Sequence, residues 1–210
     1  AWAGLEHAPD ARRILDLGTG KGTVALLMLA ARASSMVVGI EAFEQSVSLA
    51  HRNAHLNGLQ GRFTVHHGDH RKASLLLGEA PFELITGAPP FMPMGTGILP
   101  KDPQRAAGRF ELRGGVEEYY QTAARNLTST GSVVVLMDGH GAERNLNAAV
   151  AAGLTPRTQI NVLPRPGRAA TYSICVATRG RGDFTRHDLV LRESEGQAWS
   201  APYQKIRERL

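Results

Sequence analysis

The residues best spaced to do chemistry lie in Asp16-Leu17-Gly18-Thr19-Gly20-Lys21-Gly22. Glycines let a backbone take positive φ and come close to a ligand. The spacing is G-x-G-x-G. A dinucleotide-phosphate loop needs G-x-G-x-x-G, with glycine where Thr23 stands, and a P-loop needs Ser or Thr where Gly22 follows Lys21. The loop therefore approaches a ligand without matching either phosphate cradle. Two more carboxylates follow. Glu41, nineteen residues beyond Gly22, stands where an acid accepts from a ribose diol. Asp69, in Gly68-Asp69-His70, is placed to accept from an exocyclic amine of adenine. With Asp16, these acids describe a pocket for a nucleoside carrying a cationic or amine-bearing tail.

Strands must bring these residues to one edge. Apolar runs predict strands at 13–17, 36–40, 63–66, 82–86, 132–137, 159–163 and 171–178. Helical spacing falls at 22–33, 43–56, 116–127 and 143–152, and Asn57-Gly58 is a helix stop. Alternation of apolar strands with helices predicts a doubly wound, mostly parallel seven-stranded α/β sheet covered on both faces. Only Pro164 to Ala170 separates the last two strands, too short for a crossover, so they pair as an antiparallel hairpin. Ligands of such a sheet sit beyond the carboxyl ends of its strands. There the fourth strand runs into Thr86-Gly87-Ala88-Pro89-Pro90-Phe91, a rigid turn with a ring on which a planar group can stack. A long Gly- and Pro-rich loop, 92–115, follows at the pocket mouth and carries Lys101, Arg105, Arg109 and Arg113.

The D-x-G-x-G-x-G loop, the second-strand Glu and the third-strand Asp together resemble the class I S-adenosylmethionine-dependent methyltransferases, over roughly Arg13 to Thr178. The resemblance implies S-adenosyl-L-methionine as cofactor. It puts Asp16 near the methionine end, Glu41 on the ribose and Asp69 on the adenine. Gly18, Thr19, Gly20, Gly22, Ala42, Gly68 and His70 complete the cofactor site. The Ala88-Pro89-Pro90-Phe91 turn is similar to the catalytic N-P-P-[YFW] motif of amino-methyltransferases, in which the Asn oxygen and the next carbonyl accept from the target amine. Ala88 stands where Asn belongs, so only the backbone carbonyls of Ala88 and Pro89 remain as acceptors.

Three later segments resemble the bacterial tRNA(Val) adenine-N6 methyltransferases. They are Arg109-Phe110-Glu111, Pro164-Arg165-Pro166-Gly167-Arg168 and the stretch from Glu195 to Tyr203. This implies N6 methylation of an adenine in tRNA, with RNA as partner and Arg105, Arg109, Arg165 and Arg168 as substrate-binding residues. A protein-glutamine or small-molecule methyltransferase stays open beside it, as does a non-catalytic RNA-binding protein of the same fold.

Composition narrows the classes. The 210 residues are 42% hydrophobic and 20% charged, an ordinary globular balance that suits one domain over 1–179 and a polar tail over 180–210 packing on it or extending it. The net charge is +5 and lysine occurs only at 21, 72, 101 and 205, so arginine, the better bidentate phosphate ligand, carries the basic character. The single cysteine, Cys175, excludes an internal disulfide and favours a reducing, cytoplasmic setting. It lies mid-strand in an apolar run, which reads as core and not as the nucleophile of pyrimidine C5 methylation. Neither H-E-x-x-H nor a His/Cys set predicts a metal, and G-x-S-x-G is absent. No 18-residue apolar window predicts a membrane span. The chain begins at Ala1, which reads as a trimmed product.

Overall fold

The computed structural model describes residues 1–79 and 81–210. β1 (Arg13–Leu17), β2 (Met36–Glu41), β3 (Phe63–His67), β4 (Phe82–Gly87) and β5 (Leu127–Asp138) run parallel. β7 (Tyr172–Thr178) inserts antiparallel between β5 and β6 (Thr155–Leu163), closing the expected hairpin. Among the described residues the sheet has eight strands rather than seven, in the order β3-β2-β1-β4-β5-β7-β6-β8. The additional strand, β8 (Thr185–Val190), runs parallel to β6 and lies in the segment read as a polar tail. Its first four residues are exposed, as suits an edge strand, so it carries no apolar run to announce it. β5 and β6 start at Leu127 and Thr155, earlier than the apolar runs at 132 and 159. Both extensions cross a register shift, between Phe82 and Leu84 and between Pro156 and Thr158, where the ladder is irregular.

Side-chain alternation builds two cores. Ile14, Val37 and Leu84 face α1 (Trp2–His7), α2 (Thr23–Ala31) and α3 (Glu44–Leu56). Leu15, Val38 and Ile85 face the opposite layer, formed by α5 (Val116–Asn126) and α6 (Ala142–Ala151). Ile14, Leu15, Leu84 and Ile85 are fully buried, and each such side chain contributes about 1.5–3 kcal/mol. The centre of the sheet is therefore its most firmly held part, and the strand ends carrying the loop and the turn are fixed to it.

The 92–115 segment is not a free loop. Asp102 caps α4 (Pro103–Arg109), its carboxylate accepting from the Arg105 N–H at 2.7 Å. The segment then returns on itself: Met92 N–H donates to Arg109 O and Glu111 N–H to Met92 O, at 2.9 and 3.0 Å. Phe110 is buried. The tail ends in α7 (Ala201–Glu208), whose Ile206 packs on the α1–α3 face.

Candidate active site

The three glycines of the first loop, Gly18, Gly20 and Gly22, all take positive φ, which side-chain-bearing residues adopt only at a cost. At Gly18 a Cβ would also lie 2.6 Å from the Tyr119 hydroxyl oxygen. The loop is knit to the end of β2. Thr19 N–H donates to Ile40 O at 3.0 Å, and Gly20 N–H donates to Glu41 Oε2 at 2.9 Å. Glu41 Oε1 accepts from Phe43 N–H at 2.8 Å. Each carboxylate oxygen thus spends one acceptor direction on backbone and keeps others for a ligand diol.

Asp16 is buried. It accepts from Thr86 Oγ1 and Thr19 Oγ1, both at 2.7 Å, linking β1, β4 and the glycine loop. Burial raises its pKa, and the two threonine bonds work against that rise. Asp69 is held by Arg71, which bonds both carboxylate oxygens through Nε and Nη2 at 2.5–3.1 Å. That hydrogen bonding pulls its pKa down to about 2. The neighbouring His70 is also lowered, to about 4, but by burial, which favours its neutral form. Its ring packs edge-on to Tyr119 with centroids 4.4 Å apart.

A cavity of about 320 Å³ forms beyond the strand ends. Of the residues singled out in the sequence, Gly18, Gly20, Glu41, Ala42, Gly68, Asp69, His70, Ala88 and Pro90 line it. Asp16 and Thr19 instead line a second, larger and mostly apolar cavity of about 670 Å³ over β5–β8. Among the described residues, Gly18 and Ala88 are the two common to both. Gly22 caps α2 under the Phe63 ring, Pro89 is buried, and Phe91 tilts against Tyr172 of β7 at 6.2 Å.

The 92–115 segment does sit at the mouth of the first cavity, as expected, but it roofs it with a helix rather than a loop. α4 turns Gln104, Ala107 and Gly108 toward it, while Arg105 and Arg109 are exposed on the outside. Gln104 Nε2 donates to Ser46 Oγ at 2.5 Å, and the Arg113 guanidinium sits 4.6 Å from the Phe43 ring centroid. Beneath, Glu111 and Glu117 grip Arg144 of α6 at 2.5 and 2.8 Å, clamping the returning segment to the body. Tyr119 is a further wall residue that the sequence did not predict. It belongs to a helix whose apolar face reads as core, and only the fold shows its hydroxyl reaching Gly18.

The β6–β7 turn lies at the cofactor edge, as its neighbour Tyr172 against Phe91 shows. Arg165 does not point free there. Its guanidinium donates to Glu193 O and Gly196 O, each at 2.6 Å, and ties down the turn after β8. Arg168 is exposed. At the opposite edge, Arg179 donates to the carbonyls of Ala124 and Leu127 at the end of α5. Cys175 is fully buried and its thiol is pushed up to about 11 by burial, which leaves it unreactive. Among the described residues no cluster of three His, Cys, Asp or Glu side chains could hold a metal, and no helix is long and apolar enough to cross a membrane.

Paired acids on neighbouring strand ends, a positive-φ backbone loop and a cavity of nucleoside size fit S-adenosylmethionine by the chemistry of their donors and acceptors. Comparison with known proteins agrees. The Methyltransferase small domain family matches residues 4–98. The chain is 27% identical to the tRNA1(Val) (adenine(37)-N6)-methyltransferase of Bacteroides fragilis, over 98% of this chain and 84% of that protein. It is also 27% identical to the Yersinia pestis protein of that name, over 93% and 77%. Among solved structures, a predicted O-methyltransferase from Agrobacterium tumefaciens superposes with a TM-score of 0.71 at 19% identity, covering 94% of this chain and 89% of that one. The geranyl diphosphate C-methyltransferase of Streptomyces coelicolor, solved with S-adenosyl-L-homocysteine, gives 0.60 at 11% identity over 85% and 77%. The chain is an S-adenosylmethionine-dependent methyltransferase with the Rossmann-like fold of such enzymes. Within that class it resembles the bacterial tRNA1(Val) adenine-N6 methyltransferases along nearly its whole length.

Proposed function

We propose that this methyltransferase acts on the N6 amine of an adenine in tRNA. The observation that carries the proposal is the Ala88-Pro89-Pro90-Phe91 turn at the meeting of the two cavities, on an edge that also carries exposed Arg105, Arg109 and Arg168. S-adenosylmethionine supplies an electrophilic methyl on sulfur. The amine nitrogen takes that methyl, the sulfur–carbon bond breaks with its electrons going to sulfur, and the nitrogen then sheds a proton. Glu41 holds the ribose, Asp69 and His70 border the adenine, and Gly18, Thr19, Gly20 and Gly22 form the loop under the methionine end. Arg71 must share Asp69 with the adenine amine or yield it. The carbonyls of Ala88 and Pro89 accept from the target amine in place of an asparagine, and Phe91 stacks on the base. No strong base is needed, so catalysis is mainly orientation.

The relatives' names and the arginine-rich edge support RNA as partner. The apolar second cavity favours one other reading, a small apolar acceptor. Transfer of tritiated methyl from S-adenosylmethionine to total RNA, protein and metabolites, followed by nucleoside mass spectrometry, decides between them. N6-methyladenosine in the tRNA fraction is the expected product. Label confined to metabolites or protein would remove the RNA reading.

A further inference from the structure

We infer that the Tyr119 hydroxyl oxygen contacts the donor methyl and lets the site distinguish S-adenosylmethionine from its demethylated product. The inference rests on the cofactor placement proposed above. The methyl must lie where the donor cavity meets the space open to an acceptor. Among the described residues Gly18 and Ala88 alone line both cavities, so that seam runs between them. Tyr119 spans the wall leading to it. Its ring starts against His70, with centroids 4.4 Å apart, and lies over Gly87, where a Cβ would be 2.6 Å from Cδ1. Its oxygen ends over Gly18, again 2.6 Å from where a Cβ would stand. The ring is thus wedged on two glycines, and the hydroxyl reaches the seam and not the Asp69 end.

The oxygen there is a neutral one. Burial first, then the carboxylates of Glu41, Asp16 and Asp69, raise the phenol's pKa, so it keeps its proton. A neutral phenol cannot act as a general base at neutral pH. Its lone pairs suit the polarised C–H groups on a sulfonium, whose hydrogens are better donors than ordinary methyl hydrogens. The product thioether has lost both the methyl and the positive charge, so the same oxygen gains nothing from it. The expected consequence is preferential grip on the donor and easier release of the product.

The test is calorimetric titration of wild type and Tyr119→Phe with S-adenosylmethionine and S-adenosylhomocysteine separately. Phenylalanine keeps the ring wedged on Gly87 and removes only the oxygen. Binding of the methyl donor is expected to weaken about two- to fivefold, the size of a weak C–H···O bond of about 0.5–1 kcal/mol, with binding of the product unchanged. Equal weakening of both ligands, or no change in either, overturns the inference. A second measurement needs no folded variant. The methyl proton resonance of bound methyl-13C S-adenosylmethionine is expected downfield of the free ligand in the wild type, and a resonance at or upfield of the free position overturns the inference. A wild type that binds neither ligand removes the cofactor placement itself, and the inference with it.

Discussion

Ala88 is exposed at the seam of both cavities, with Gly87 and Pro89 buried on either side of it. The backbone there is fixed while the side-chain direction is open, so a longer residue fits without repacking. Ala88→Asn is expected to raise the rate on an adenine amine by a few-fold to tenfold, or to leave it unchanged. An added neutral hydrogen bond is worth about 0.5–1.5 kcal/mol. Single-turnover transfer to the methylated substrate measures this, and a marked loss would count against an amine acceptor. A second residue-scale consequence concerns acid. His70 titrates near 4 in the fold, chiefly through burial, against about 6.5 unfolded. The stability of keeping it neutral is fully present above about 6.5 and is lost as pH falls toward 4, on the order of 1–3 kcal/mol. Asp69, held near 2 by Arg71, stays ionised through that window and adds nothing to it. His70→Gln, which cannot charge, is therefore expected to narrow the drop in melting temperature between pH 7.5 and pH 5. An undiminished drop would place the titration elsewhere, with His7, also lowered by burial, the next candidate.

Among the elements, the returning segment after α4 is held by the buried Phe110 ring and by a charge clamp on α6. Glu111 has only 11% of its side chain exposed and shares Arg144 with Glu117. A poorly solvated carboxylate on a bidentate guanidinium is worth more than a surface pair. Glu111→Gln is expected to destabilise the protein by about 1 kcal/mol. It should also speed hydrogen exchange at residues 110–115 and weaken cofactor binding a few-fold, because Arg113 and Gly114 line the cavity. Exchange mass spectrometry with calorimetry checks both effects together, and loosening without any change in binding would show that the roof is not part of the cofactor site.

This is also the scale at which the sequence was most and least readable. β1, β2 and β4 are buried on both faces, so their apolar runs stand out, and the acid-bearing ends of β1 and β2 follow from them. α4 was legible in principle, since Asp102-Pro103 is a helix start, but the surrounding glycines masked it. β8 alternates no apolar residue until Leu189, and its pairing is set by β6, not by its own composition. Tyr119 was readable only as helix. Which helical residue reaches a distant loop depends on how α5 lies on the sheet, and no local pattern encodes that.

For the whole molecule, the net charge of +5 says that RNA binding is permitted but not where it occurs. The fold assigns the arginines to edges. Arg109 and Arg168 are exposed at the carboxyl edge, beside the pocket mouth. Arg12 precedes β1 and Arg181 follows β7, which places both at the opposite edge, and both are exposed there. Arg165 and Arg179 each bond backbone carbonyls, so their loss would disturb the fold as well as the charge. The two remaining pairs carry equal charge, so a purely non-specific attraction treats them alike. If tRNA enters at the pocket mouth, replacing Arg109 and Arg168 with alanine weakens binding and lowers the salt slope of log K by about 1 to 2. Each neutralised phosphate contributes roughly 0.7 to 0.9. Replacing Arg12 and Arg181 leaves the slope almost unchanged. Filter binding of tRNA across a salt series, with melting curves to confirm that both double variants are folded, gives the two slopes. Equal slopes for the two variants would mean that the basic charge attracts RNA to the molecule at large and that the pocket edge does not guide it.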